Sequence, residues 1–130
     1  MDIGSAARMH WLEWGGDVIH YIDLRTLERS TYLMPPGVVN PLFSRSITLP
    51  ENKIFLCGGR FDTNGKGLKH NFIIHPDESF SWERNPDMIF GHSNHFAGYC
   101  SNYIYVIAGC DEANNFTDKC EKFSLTKRTW

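Results

Sequence analysis

Histidine and cysteine are the residues of this chain that suit a metal ion, and there are enough of them to form a site. The chain has six histidines and four cysteines, the latter being Cys57, Cys100, Cys110 and Cys120. His92 and His95 have the three-residue spacing of metal ligands, and Cys100 and Cys110 follow them in the chain. A structural zinc site, however, is usually closed by four ligands that include a C-x-x-C pair, which this sequence lacks. We therefore expect no metal site and no cofactor.

Acid–base and nucleophilic chemistry have little support in the sequence. His20, His75 and Asp23 are the candidate acid–base groups, but both histidines alternate with apolar residues, as structural histidines of strands do. The G-x-S-x-G pattern of hydrolase nucleophiles is absent, and so is the G-x-x-x-x-G-K-[ST] phosphate loop. The sequence thus predicts no catalysis by this chain itself.

Composition indicates a folded domain and excludes several classes of partner. Of the 130 residues, 42% are hydrophobic and 14% aromatic, which is enough for a core. The net charge of −2 is small and scattered, so we expect no nucleic-acid partner and no membrane partner. No apolar run approaches the ~20 residues of a membrane span. No secretory signal is visible, so the cysteines are expected to be reduced thiols and the location cytoplasmic.

A unit that recurs three times must position any functional side chain. Each unit has an apolar run that ends in a pair of small residues, Gly15-Gly16, Gly58-Gly59 and Ala108-Gly109. The pairs are 43 and 50 residues apart, a period typical of propeller-like repeats. Three units are fewer than the ~4–8 blades of a closed propeller. The predicted fold is therefore all-β, an arc of about three four-stranded antiparallel blades whose terminal blades are incomplete.

Short runs rich in Ile, Val, Phe, Tyr and Trp, separated by turn residues, predict the strands. In chain order they fall near Trp11 and at 18–23, 29–33, 45–49, 53–57, 71–75, 80–84, 95–100, 103–108 and 120–125. The whole chain is interpreted as one repeat segment with units at about 9–43, 44–88 and 89–130.

The predicted core and the small-residue pairs can be stated residue by residue. We expect the core to contain Trp14, Ile54, Phe55, Phe72, Tyr105 and Val106, with Trp82 covering a blade surface. Glycine accepts positive φ, which suits a sharp strand exit. Because alanine pays a steric penalty there, we expect ordinary β geometry at Ala108.

The repeated layout resembles the kelch repeat. The third unit carries His95, Ile104-Tyr105-Val106, Gly109, Phe123 and Trp130 at the positions of the kelch pattern. The middle unit carries Arg45, Ile54-Phe55, Gly58-Gly59, His75-Pro76 and Trp82, and the first carries Gly15-Gly16 and Ile22-Asp23. The chain departs from the pattern at the family Asp, replaced by His75 and Ser124, and at the family Trp, replaced by Arg29.

The resemblance implies a function as well as a fold. Kelch repeats form propeller blades, so the chain is expected to be a protein-interaction module, a piece of a substrate-recognition or scaffold protein. Its partner would be another protein or an acidic peptide, and open blade edges would favour self-association. The alternative is a piece of a kelch-like propeller enzyme, an oxidase or lyase, whose active residues lie outside this chain.

The resemblance also implies a binding face. In peptide-binding kelch propellers, the loops after the second strands and those entering the first strands line one rim, and the Arg after the Gly pair often contacts an acidic partner. The residues of this chain at or near those positions are Arg45, Arg60, Asp62, Asn64, His92, His95, Asp111 and Asn114. Arg and His side chains there would hold a carboxylate through charge-assisted hydrogen bonds, with the histidines strengthening binding at lower pH.

Overall fold

The computed structural model describes residues 8–34, 40–62, 65–75 and 81–130, and these form three consecutive antiparallel sheets. The first sheet contains β1 (Arg8–Leu12), β2 (Val18–Asp23) and β3 (Arg29–Leu33). The second contains β4 (Arg45–Thr48), β5 (Ile54–Cys57), β6 (Asn71–His75) and β7 (Ser81–Arg84). The third contains β8 (Phe96–Cys100), β9 (Tyr103–Ile107) and β10 (Cys120–Ser124).

Each sheet is a meander, in which strands that follow one another in the chain are hydrogen-bonded neighbours. The four-stranded sheet lies in the middle, and the sheets on either side of it have three strands each. A one-turn 3₁₀ helix, Pro50–Asn52, occupies the predicted turn between β4 and β5. The predicted all-β fold, an arc of three antiparallel sheets with shorter terminal sheets, is confirmed.

Two apolar clusters hold the three sheets together, and β5 contributes to both. Ile54 and Leu56 pack toward the first sheet, in a cluster with Ile19. Phe55 packs toward the third sheet, in a cluster with Phe123. Because successive side chains of a strand point to opposite faces, a strand between two sheets is buried on both sides. This explains why the run Ile-Phe-Leu-Cys of β5 is apolar throughout, without polar alternation.

The core predictions are confirmed for Ile54, Phe55 and Val106, which are buried. Phe72 is half-buried and packs against the cluster between the first two sheets, with its ring 5.6 Å from that of Trp82. The prediction for Trp14 is wrong, because it lies in a loop and nearly half of it is exposed.

The prediction of a buried Tyr105 is also wrong. In β9 the two fully buried side chains are Ile104 and Val106, which belong to the cluster shared with the second sheet. Tyr105 stands between them on the opposite face and is half-buried. The strand period of two residues decides this, since neighbouring residues cannot face the same cluster.

Ala108 differs from its predicted geometry. Its φ of 59° is left-handed, not extended. Its amide donates to the carbonyl of Lys119 (2.9 Å), as the amide of Gly58 donates to the carbonyl of His70 (2.9 Å) in the second sheet. The imidazole of His92 also bonds the Ala108 carbonyl at 2.8 Å. These tertiary hydrogen bonds hold the alanine in the conformation of the equivalent glycine, against its steric preference.

Replacing Ala108 with glycine is expected to stabilise the protein by about 0.5–1 kcal/mol. Relief of a left-handed alanine contributes ~1–2 kcal/mol, and the greater freedom of glycine in the unfolded chain removes part of this gain. Chemical denaturation measures the change. Ala97→Gly, at an ordinary position within β8, is the matched control and should lose stability. A destabilised Ala108→Gly variant would contradict the strain.

Candidate functional site

The loops that follow the second strands meet the loops that enter the first strands along one edge of the arc. We call this edge the rim and define it as residues 13–16, 40–45, 58–62, 91–95 and 108–116. Backbone hydrogen bonds join these segments: the amide of Gly15 donates to the Asn40 carbonyl, and that of Arg60 to the Leu42 carbonyl (both 2.8 Å). The amide of Cys110 donates to the Ser93 carbonyl, also at 2.8 Å. The rim is thus built by neighbouring sheets, not by one loop.

The glycine pair after β5 is required by this construction. Gly58 has a φ of 67°, and a Cβ there would collide with the carbonyl of His92. The next amide, that of Gly59, donates to the same carbonyl at 2.8 Å. Close approach of the two backbones therefore needs residues without a side chain. The pair brings the following residue, Arg60, to the boundary between the second and third sheets.

Arg60 is held by side chains from two other loops. Its guanidinium lies 4.6 Å from the centre of the Phe43 ring, and its Nη1 donates to Oδ1 of Asn114 at 2.9 Å. The residue is only 8% exposed. Of the predicted site residues, the structure therefore brings Arg60 and Asn114, which are 54 positions apart, into direct contact.

The contacts continue from Phe43 toward the first sheet. The Phe43 ring meets the Trp14 ring edge-on at 4.9 Å, and the guanidinium of Arg45 lies 5.9 Å from the Trp14 ring centre. The rings of Trp14 and Phe43 thus lie side by side between the guanidinium groups of Arg45 and Arg60, and we call these four residues the cation–aromatic row. Arg45 is half-buried and also donates to the carbonyl of Ser44 at 3.1 Å.

Exposed aromatic side chains on the rim were missed by the sequence analysis. Trp14 is 47% exposed, Phe61 63% and Phe116 94%. Their positions beside the small-residue pairs and in the loop after β9 are a usable signal, because the repeat pattern places those loops on the rim. Large exposed aromatics of this kind are a mark of interaction surfaces.

The predicted acidic and amide residues of the rim differ in their exposure and in their hydrogen bonds. Asp62 is exposed, whereas Asp111 folds its own loop, since its Oδ1 accepts from the amides of Ala113 (2.9 Å) and Asn115 (3.0 Å). Asn64 lies outside the described residues.

His92 is not a surface residue as the binding hypothesis required, because it is completely buried. Its Nδ1 lies 2.8 Å from the carbonyl oxygen of Ala108, and its Nε2 lies 2.8 Å from Oε2 of Glu121. A carbonyl oxygen only accepts, so Nδ1 carries a hydrogen, and a second proton must lie between Nε2 and the carboxylate. The pair therefore shares one buried proton and is charge-balanced.

Glu121 also fixes the backbone that leads into the rim. Its carboxylate oxygens accept from the amides of Ile89 (2.7 Å) and Phe90 (3.0 Å). With His92, this makes three hydrogen-bonding partners for one buried carboxylate. The pair links β10 to the segment that connects the second and third sheets, which is a structural role.

His95 is also buried, next to the thiol of Cys57, with 3.4 Å between Nε2 and Sγ. Burial, together with the nearby His92 and Arg45, lowers the pKa of His95 to about 3. Burial likewise raises the pKa of Cys57 to about 12, although Arg45 opposes this shift. Both groups are neutral near pH 7. The expectation that protonation of His95 strengthens binding below pH ~6.5 is therefore wrong.

The lowered pKa of His95 predicts acid sensitivity of the fold. An unfolded chain protonates this histidine near pH 6.5, while the folded protein leaves it neutral down to about pH 3. Within this window the unfolded state binds more protons, so stability is lost as pH falls, by up to ~1.4 kcal/mol per pH unit. His95→Gln should flatten this part of the pH–stability curve measured by urea denaturation. His20→Gln, at a solvent-accessible histidine, is the control, and an equal flattening by both variants would contradict the prediction.

Within the described part of the chain, no three or more His, Cys, Asp or Glu side chains are placed to hold a metal ion together. The same described residues include no helix with the length and hydrophobicity needed to span a membrane.

Comparison with known proteins agrees with this architecture. The model of the kelch motif matches residues 91–130, and no curated protein matches the chain significantly. Among solved structures, the chain resembles a novel fungal alcohol oxidase of the AA5 family in complex with copper, with a TM-score of 0.66 and 14% sequence identity. The similarity covers 89% of this chain but 27% of the oxidase chain. At this identity it concerns the fold alone. Residues 91–130 are therefore a kelch motif, carried in an all-β arc of three antiparallel sheets.

Proposed function

We propose that the chain is a protein-interaction module that binds an acidic segment of a partner protein at the rim. The observation that carries the proposal is the placement of two arginines, Arg45 and Arg60, at opposite ends of the cation–aromatic row. Arginine offers a planar set of donors that matches a carboxylate, and stacking on an aromatic ring keeps the donors at its edge directed outward.

The burial of Arg60 strengthens its contact with a carboxylate. Electrostatic attraction is screened by water at exposed sites and is larger where solvent is displaced. The contact of Arg60 with Asn114 also fixes the guanidinium before any partner arrives, which lowers the entropy lost on binding. His92 and His95 have no direct part in this proposal, because they are only 0% and 1% exposed, whereas Arg60 keeps 8% of its surface exposed.

Arg60→Ala is expected to weaken binding of short acidic peptides by ~10–100-fold, the effect of losing a charge-assisted hydrogen bond. The probes are fluorescent peptides rich in Asp and Glu, with matched Asn and Gln peptides, measured by fluorescence anisotropy. Arg60→Lys keeps the charge but not the planar donor set, and should give an intermediate loss.

Lys127→Ala is the matched control, since Lys127 is an exposed cation in the turn after β10, at the other end of the strands. Circular dichroism confirms that each variant is folded. Equal losses from Arg60→Ala and Lys127→Ala, or no preference of the protein for acidic over amide peptides, would contradict the proposed function.

The proposal also includes a cytoplasmic location and self-association of the chain. All four cysteines are free thiols, which supports a cytoplasmic location. Self-association is supported by apolar side chains on the outer faces of the terminal sheets. These include Met9, Trp11 and Leu33 on the first sheet and Phe96 and Ile107 on the third.

The alternative of an enzyme fragment has one observation in its favour, the likeness of the fold to a copper-containing alcohol oxidase. We propose no copper site, because the described residues offer no cluster of ligands for one. Stoichiometric metal in the purified protein, measured by inductively coupled plasma mass spectrometry, would support the enzyme instead.

A further inference from the structure

We propose that the cation–aromatic row recognises an aromatic side chain next to the carboxylate, so that the partner segment carries Phe, Tyr or Trp as well as Asp or Glu. This inference rests on the proposed function and specifies its ligand. The aromatic ring of the partner packs on Trp14. The carboxylate of the partner's Asp or Glu reaches past Phe43 to Arg60.

The first support is that Trp14 is fixed although it is not buried. Its Nε1 donates to the carbonyl of Ser44 at 3.2 Å, Phe43 meets its ring from one direction and Arg45 lies over it from another. Nearly half of the residue nevertheless remains exposed. A partner ring that packs on this indole gains aromatic contact while little side-chain entropy is lost, because the indole is already ordered.

The second support is the arrangement of charge beside that surface. Arg60 lies over the Phe43 ring, and Phe43 lies against Trp14, so a cation follows the exposed indole along the row. In an extended peptide, alternate side chains stand on the same side, roughly 6.6–7 Å apart. An aromatic residue and an acidic residue two positions later would therefore present both groups to the row at once.

The third support is that three different loops contribute. Trp14 follows β1, Phe43 precedes β4, and Arg60 follows β5. The amide of Arg60 donates to the Leu42 carbonyl, and the amide of Gly15 donates to that of Asn40, so the loops are tied together by backbone hydrogen bonds. The row is consequently preformed by the junction of the first two sheets and needs no rearrangement to accept a ligand.

The test uses four short fluorescent peptides that combine Phe or Ala at one position with Asp or Asn two residues later. Anisotropy titrations with the full chain should give the tightest binding for the peptide with Phe and Asp. Trp14→Ala should weaken that peptide about tenfold, to the affinity of the peptide with Ala and Asp, while leaving the latter unchanged. Trp14→Phe keeps a ring and should keep most of the preference.

Tyr99→Ala is the control, because Tyr99 is an exposed aromatic residue of β8 that lies outside the rim, and it should alter binding by less than about twofold. Equal affinity for the Phe and Ala peptides would overturn the inference. Equal weakening of the Phe peptide and the Ala peptide by Trp14→Ala would also overturn it. A free protein that self-associates through the exposed surface of Trp14 would overturn it as well. If the protein still prefers the Asp peptides over the Asn peptides, and only Arg60→Ala abolishes this preference, the proposed function stays intact. Absence of any Asp preference would overturn that function as well.

Discussion

Phe55→Ala is expected to lower the free energy of unfolding by about 3–5 kcal/mol, the cost of truncating a fully buried aromatic. Phe55 has no exposed surface and lies in the cluster between the second and third sheets. Its ring centre is 5.6 Å from that of Phe123 and 6.2 Å from that of Trp130. Truncation leaves a cavity between two sheets whose backbones are fixed by their own hydrogen bonds, so the site cannot collapse easily.

Urea denaturation followed by circular dichroism measures this loss. Phe116→Ala removes the same side chain from an exposed position and should change stability by less than about 0.5 kcal/mol. Similar losses from the two substitutions would show that the cluster does not hold the second and third sheets together. If Phe55→Ala does not fold, Phe55→Leu, which fills most of the space, gives a smaller loss of the same sign.

Glu121→Ala is expected to destabilise the protein by a similar amount, about 3–5 kcal/mol, because it leaves one member of a buried ion pair without its partner. The carboxylate accepts hydrogen bonds from the amides of Ile89 and Phe90 and faces Nε2 of His92. Its removal leaves these donors unsatisfied in an environment from which water is excluded.

The pair of His20 and Glu13, 3.3 Å apart, provides a control of the same chemistry nearer the surface, since the two side chains are 25% and 72% exposed. Glu13→Ala should cost no more than about 1 kcal/mol, since solvent screens surface pairs. Both variants are compared with the parent by chemical denaturation at the same pH and salt concentration. A loss for Glu121→Ala as small as that for Glu13→Ala would mean that the buried pair does not anchor the connection between the sheets.

The position of the strands was determined by the sequence itself. Runs such as Ile54–Cys57 and Tyr103–Ile107 form strands where their β-branched and aromatic residues predicted them. Strand formation depends on residues close together in the chain, and turns such as Ser101-Asn102 depend on local backbone preferences, as their positive φ values show. The repeat period also predicted the number of sheets, because each of the three units folds into one meander.

The surroundings of the candidate site were decided only by the tertiary structure. Sequence position brought Arg60 to a junction of loops, but it did not show that His92 and His95 point into the protein, where burial lowers the pKa of His95. It also assigned Trp14 to the core, although the neighbouring loop leaves this side chain exposed on the rim. The burial of a side chain depends on which sheets and loops pack together. The contacts that decide it join residues more than 25 positions apart in the chain.

At Ala108, the local backbone preference and the tertiary contacts favour different conformations. Its local preference is for extended backbone, which is the geometry that the sequence predicts. Hydrogen bonds to Lys119 and His92, from elsewhere in the third repeat, hold it in the left-handed conformation instead. The sequence by itself therefore determined the strands and their repeat, because these depend on short-range preferences. The tertiary structure decided burial, charge state and strain, because these depend on the contacts between sheets and loops.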